Sequence, residues 1–349
     1  MENKTGIHHL IVFRFSSMGD VAMTVPVVKQ LLIQHPYLTI TFVSDKKFGA
    51  LFENIPNLEF YGADLKNEHK GFAGILRLFN QLKKIKNITA IADLHDVLRT
   101  RVLGALFRST GKKVERIDKG RKDKKELTRK QNKKLVQLPS SFQRYANVFT
   151  QLGYPVTLTA NAQRIKLPVS ALVNDLTGSG DAIRIGVAPF AKHNEKTYPP
   201  EEMEKVIADL SVKGYKLFLF GGGSETSQLQ AWENQFNNMV NIAGKLSFKE
   251  ELILISNLDL MISMDSANMH LASLYGVPVV SIWGATHPFA GFYGFAQNPL
   301  NAVQENIYCR PCSVFGNKPC YRGDLACMHL ITPAHIIGKI ETVLQQAQV

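Results

Sequence analysis

Short apolar runs rich in β-branched and aromatic residues alternate, in both halves of the chain, with stretches whose apolar positions recur at helical spacing. HHLIVFRF (8–15) reads as a buried strand, and Val21 to Gln34 as a helix. TITFVSD (39–45) is a strand, followed by a short helix over 46–54 and a strand at LEFYGA (58–63). Phe72 to Lys84 is helical, ITAIADLH (88–95) extended, Leu98 to Ser109 helical, and VERID (114–118) extended. Strands that read as continuous apolar runs and alternate with helices predict a parallel sheet covered on both faces.

From Gly153 to Gly180 the rhythm breaks, without a long apolar period and ending in Thr-Gly-Ser-Gly, so a domain boundary is placed there. The alternation then restarts. AIRIGVAPF (182–190), YKLFLFG (215–221), LDLMISM (258–264) and PVVSIWG (278–284) are strands. Helices fall on Pro199 to Leu210, which opens Pro-Pro-Glu-Glu, on Ser247 to Ser256 and on Asn268 to Tyr275. Pro333 to Gln346 is an amphipathic helix. The expected division is residues 1–158 and 159–332, with the terminal helix 333–349 returning to the first domain. Both are α/β domains with doubly wound sheets, and ligands bind such sheets outside the carboxyl ends of the strands. Two of them facing each other would enclose a cleft.

Length agrees with two domains, because 349 residues exceed one ordinary core. No apolar run approaches the roughly 18–20 residues that span a bilayer, and the polar MENKTGIHH start does not read as a secretory signal, so a cytoplasmic protein is expected. Charge changes the picture more. The formal net charge is +12, and Lys112 to Lys134 alone holds nine Lys and three Arg against two Asp and two Glu, a net of eight positive charges. Such a segment is either a solvated helix and loop or a surface for polyanions, and its share of the total favours the second.

The candidate chemistry lies at strand ends. Phe15-Ser16-Ser17-Met18-Gly19-Asp20 is small and polar ahead of a helix, where Asp20 reads locally as a helix cap. It fits neither a dinucleotide fingerprint nor a Walker loop. In the second half, four polar junctions follow strands: Ala191 to Lys196 with Lys192 and Lys196, Gly221 to Glu225, Asp265-Ser266-Ala267-Asn268-Met269-His270, and Gly284 to Pro288. Asp-Ser-Ala-Asn at a helix start suits a phosphate on exposed N–H groups, and lysines add point charge for a diphosphate. No Asp-x-Asp ends a strand, so a metal is not required. Cys309, Cys312, Cys320 and Cys327 contain one short pair and one long one; structural zinc and reduced or redox-sensitive thiols both remain open.

RFSSMGDVAMTVPVVKQLLIQHP near the start and DSANMHLASLYGVPVVSIWGATHP near the end resemble the two signature regions of glycosyltransferase family 9, the lipopolysaccharide heptosyltransferases. The intervening NIAGKLSFKEELILISN (241–257) is similar as well. The resemblance implies a two-domain GT-B fold and an inverting, metal-independent transfer from a nucleotide-sugar, with ADP the expected nucleotide. The acceptor would be a phosphorylated, lipid-linked inner-core glycan. It implies Asp20 as catalytic base, Lys196 on the donor phosphates, and Asp265 with the Ser266 and Ala267 backbone as the phosphate- and sugar-binding turn. Gly222 and Glu225 fall in the loop expected near the ribose. Lys192, Asn268 and His270 complete the expected donor set, with a packed histidine the alternative for His270. Ser17, Gly19, Arg99 and Arg121 are assigned to the acceptor side.

The expected partners are therefore the donor, the glycolipid and, transiently, the anionic inner face of the inner membrane, approached by a single chain. A nucleotide-sugar epimerase of the same fold is the nearest rival. A nucleic-acid binder is the rival of another class, disfavoured because the basic run carries no aromatic residue for stacking.

Overall fold

A computed structural model describes residues 8–160, 163–178 and 180–347. The first unit holds β1 (His8–Phe13), α1 (Met18–Ala22), α2 (Thr24–Gln34), β2 (Leu38–Asp45), β3 (Leu58–Ala63), α3 (Gly71–Leu82), β4 (Ile88–Asp93), α4 (Leu98–Ser109) and β5 (Lys113–Arg116). After α5 (Arg121–Thr128), α6 (Ser141–Leu152) returns to it. The strands form one parallel sheet in the order β3-β2-β1-β4-β5. In β1 the run from Leu10 to Phe13 is wholly buried, as expected of a strand covered on both faces. On α3, Ile75, Leu78, Phe79 and Leu82 recur at i, i+3, i+4 and i+7 and close one face of the core with Phe13, Ile91 and Phe107. Each such side chain removed from water contributes about 1.5–3 kcal/mol.

The second unit runs through α7 (Ala171–Thr177), β6 (Arg184–Ala188), α8 (Pro200–Val212), β7 (Lys216–Leu219), α9 (Thr226–Gln235) and β8 (Met239–Asn241). It continues with α10 (Phe248–Ser256), β9 (Leu260–Met264), α11 (Ala267–Leu274), β10 (Val279–Trp283), β11 (Ala302–Gln304), α12 (Ala326–His329) and α13 (Pro333–Ala347). Its parallel sheet is ordered β11-β10-β9-β6-β7-β8, the doubly wound dinucleotide-fold order read from the far edge. The sheet of the first unit is the same order without its sixth strand.

Two boundaries differ from the sequence reading. The chain divides into Met1–Lys119 with Ser141–Thr159, and Gly120–Ser140 with Ala160–Val349. Most of the basic run therefore belongs to the second unit, because Leu127 and Leu138 pack with Ala290, Phe289 and Phe292, and Leu138 N–H donates to the Phe289 carbonyl. The terminal helix does not return to the first domain. Ile336, Ile340, Val343 and Leu344 lie in the second unit's core, and Lys213 bridges α8 to Glu341. Its amphipathic pattern was readable, but the pattern alone does not name the partner.

Candidate functional site

In the first sheet the strand order reverses beside β1 and β4, and the candidate acid lies where their chains leave the sheet. Ser17 takes the position before α1, and Asp20 is the third helical residue rather than the cap itself. Asp20 Oδ2 accepts the Ser17 N–H at 3.2 Å and the Ser17 hydroxyl at 2.7 Å, the return half of a capping arrangement. The same oxygen lies 2.7 Å from Arg14 Nη2, while Arg14 Nη1 donates to the Leu94 carbonyl at 2.8 Å. Arg14 is buried, with its guanidinium 5.9 Å from the Tyr145 ring centre, and Tyr145 Oη donates to the Asp20 carbonyl at 3.4 Å. The acid is thus held by local helix chemistry and by a buried cation from the adjoining strand. Gly19 is buried beside it, and Ser17 is exposed.

His95 leaves β4 next to this cluster, and its Nδ1 accepts the Phe15 N–H at 3.3 Å, which puts the proton of the neutral ring on Nε2. Arg99 lies 5.9 Å over the Phe15 ring on the same edge. Arg121, expected with these groups, is instead an exposed residue of the segment that clusters with the second unit.

In the second sheet the reversal falls between β6 and β9. Lys196, at the end of the turn after β6, places Nζ 3.0 Å from Asp265 Oδ2, which directly follows β9; the side chains are 15% and 8% exposed. Ser266 is the residue before α11, in extended conformation and without a side-chain cap, so the backbone N–H groups of the first turn take no cap from it. Its hydroxyl instead meets Ser263 Oγ at 3.0 Å. Ala267 and Asn268 are partly exposed on that first turn, whereas His270 is buried. In the loop after β7, Glu225 Oε2 accepts the Gly222 N–H at 2.6 Å, which closes the turn. Lys192 is exposed in the loop after β6.

Sequence reasoning missed two supports in this unit. A Cβ on Gly316, which has φ +71°, would fall 2.3 Å from Lys196 Cγ, so the glycine lets that loop close over the lysine stem. Arg310 is buried and donates to the carbonyls of Gly284 and Thr286 at 2.5 and 2.9 Å, bracing the turn after β10. Burial lowers its pKa to about 10, with Cys327, Cys309 and Cys312 acting in the opposite sense. All four cysteines are free thiols. Burial holds Cys327 up at about 11, and the other three cysteines push the same way. Among the described residues no three His, Cys, Asp or Glu side chains form a set fit for a metal ion, so the zinc expectation gains no support from the geometry.

Two histidines are held neutral. Burial, followed by Arg14 and Lys119, pushes His95 down to about 3; burial, followed by Arg310 and Lys133, pushes His287 down to about 4. In the unfolded chain each takes up a proton near pH 6.5. The unfolded state therefore binds more protons between those values, and stability present above pH 6.5 is lost as pH falls toward 4. Denaturant titrations from pH 7 to 4.5 should show this loss. The His95→Gln, His287→Gln double variant should flatten it by about a few kcal/mol, and an unchanged slope would count against burial of the neutral rings.

Two doubly wound domains with charged groups gathered at both switch points are the build of a GT-B glycosyltransferase. The sequence model of glycosyltransferase family 9 (heptosyltransferase) matches residues 75–319. The lipopolysaccharide core heptosyltransferase OpsX of Haemophilus influenzae is 25% identical over 309 residues, 85% of each chain. A glycosyltransferase family 9 structure from Veillonella parvula superposes with a TM-score of 0.75 at 23% identity, covering 97% of each chain. The Escherichia coli ADP-heptose LPS heptosyltransferase II superposes with a TM-score of 0.69 at 18% identity, covering 98% of this chain and all of that one. The chain belongs to glycosyltransferase family 9.

Proposed function

We propose that this glycosyltransferase moves heptose from ADP-heptose to a lipid-linked lipopolysaccharide core acceptor, with inversion at the anomeric carbon and without a metal. The observation that carries the reading is the pair of built clusters at the two switch points. Asp20 is fixed by Arg14 and Ser17 in one unit, and Lys196 with Asp265 lies at a helix start in the other. The relatives' described activities supply the sugar and the acceptor.

In this mechanism an acceptor hydroxyl attacks the anomeric carbon and its proton passes to the Asp20 carboxylate. The bond from that carbon to the diphosphate oxygen breaks, and ADP leaves with the electron pair. Lys196 and the first N–H groups of α11 stabilise the charge gathering on the phosphates. Asp265 holds Lys196 in place, so the lysine is shared between the carboxylate and the nucleotide. Gly222 and Glu225 shape the loop assigned to the ribose, and Lys192 lies near enough in sequence to add charge. Ser17, Gly19, Arg99 and Arg121 are assigned to the acceptor side, Arg121 from the segment that clusters with the second unit.

ADP should raise the melting temperature more than UDP or GDP, and chelator should leave both this shift and turnover unchanged. Equal shifts with all three nucleotides would remove the adenine assignment. Gly316→Ala should weaken ADP binding about tenfold, because the new methyl displaces the Lys196 stem. Calorimetry showing unchanged affinity would mean that the loop does not position the lysine.

No helix among the described residues is long and apolar enough to cross a membrane. Contact with the membrane-borne acceptor is accordingly proposed to be peripheral, at the cytoplasmic face of the inner membrane, by a monomer. Metal analysis of the purified protein tests whether Cys309, Cys312, Cys320 and Cys327 hold zinc.

A further inference from the structure

The segment between α5 and α6 does not stand alone on the surface. Gly120–Ser140 carries eight Lys and Arg against two acidic residues. Lys133 Nζ ties it to the cysteine loop by donating to the carbonyls of Cys309 and Pro311 at 2.7 and 2.8 Å. Lys130 Nζ lies 4.6 Å from the Tyr321 ring centre, and the Arg322 guanidinium lies 5.2 Å from that of Tyr308. In the same segment Lys124 is buried over Phe292, whose ring meets Phe315 at 5.6 Å. All these residues lie in the second unit.

Around those cations the surface is apolar. Tyr308 is 77% exposed, Phe315 55%, Val136 56%, Leu135 44% and Tyr321 40%. Large apolar side chains left in water on two segments tied together by Lys133 and Lys130, among basic residues, mark an interaction surface. The aromatic residues missing from the basic run in sequence are thus supplied by a loop nearly 200 residues later, which removes the sequence argument against nucleic acid.

The chemistry of the patch decides between the two partners. Leu135 and Val136 have no flat face for a base, but they and Phe315 suit the boundary between headgroups and acyl chains. Exposed tyrosines, with an apolar body and a polar tip, favour that same layer. Lysine and arginine then add attraction to an anionic leaflet that fades with salt.

We propose that Leu135, Val136, Tyr308, Phe315 and Tyr321, with the surrounding Lys and Arg, form a face that docks on an anionic bilayer by shallow insertion. This deepens the peripheral-membrane reading above and rests on it. Insertion through side chains differs from adsorption by charge alone, because part of the binding survives salt.

The test is flotation of the full chain with phosphatidylcholine vesicles and with vesicles containing phosphatidylglycerol, at low and high salt. Wild type should float with the anionic vesicles and only weakly with the neutral ones. Tyr308→Ser with Tyr321→Ser should reduce that partition roughly tenfold while keeping its salt dependence, since the charges remain. ADP affinity serves as the folding control. Tyr308→Trp, a mild change at an exposed position, should shift its emission to the blue with anionic vesicles alone. If wild type floats and the tyrosine variant floats equally, with no shift from the tryptophan, this face is not the docking surface, although the peripheral reading stands. Failure of wild type to float on any vesicle overturns the peripheral reading itself. Tighter binding to single-stranded DNA or RNA than to anionic vesicles assigns the face to nucleic acid and overturns the proposal.

Discussion

Replacing Asp20 by Asn is expected to slow sugar transfer by about 10²–10⁴-fold, the range for loss of a general base, with ADP affinity changed by less than about threefold. Asparagine keeps the size of the side chain and can still accept the Ser17 N–H and hydroxyl that meet Oδ2. Asp20→Ala should be equally inactive and also less stable. It leaves Arg14 buried without the carboxylate 2.7 Å away, and breaking such a pair costs about 3–5 kcal/mol when both groups are buried, less here because Asp20 is 27% exposed. The two variants separate chemistry from architecture. Should Asp20→Asn turn over at nearly the wild-type rate and Asp20→Ala merely melt earlier, the residue is a structural anchor for α1 and Arg14.

The second large effect falls on the donor. Lys196→Ala should weaken ADP binding by about 1.5–3 kcal/mol, or roughly 10- to 150-fold, the usual size of a hydrogen bond to a charged group. Asp265 complicates a simple subtraction, because the substitution strands a carboxylate that is only 8% exposed. Asp265→Asn is therefore the partner variant, and a double-mutant cycle measures the coupling between the two groups. Calorimetry with unchanged ADP affinity in Lys196→Ala would remove the lysine from the phosphate site and make exposed Lys192 the candidate.

The alternation of apolar runs and helical periods made both sheets legible, because a buried parallel strand needs apolar residues on both faces. The short β8, three residues at the sheet edge, and β11 were not legible, since three residues carry no period. Helix α6 was missed although Phe142, Tyr145, Val148, Phe149 and Leu152 line its buried face, because it lies between the basic run and the linker that drew the domain boundary. The motif at Asp20 was readable, but its support was not. Arg14 stood in view as a lone cation in an apolar strand six positions before Asp20, but its bond to the Leu94 carbonyl follows only once β1 and β4 are neighbours. Likewise Lys196 and Asp265 lie 69 positions apart and meet because β6 and β9 pair. Local capping and periodicity are written in adjacent residues, whereas charge pairs across strands depend on sheet order.

Product analysis on a lipid-linked core acceptor tests the central claim most directly. With ADP-heptose and chelator present, wild type should release one ADP per heptose added, and the new glycosidic bond should have the anomeric configuration opposite to that of the donor. Asp20→Asn should bind ADP and form almost no product. Retention of configuration, dependence on added metal, or ADP-heptose consumed with no sugar reaching the glycolipid would contradict the account.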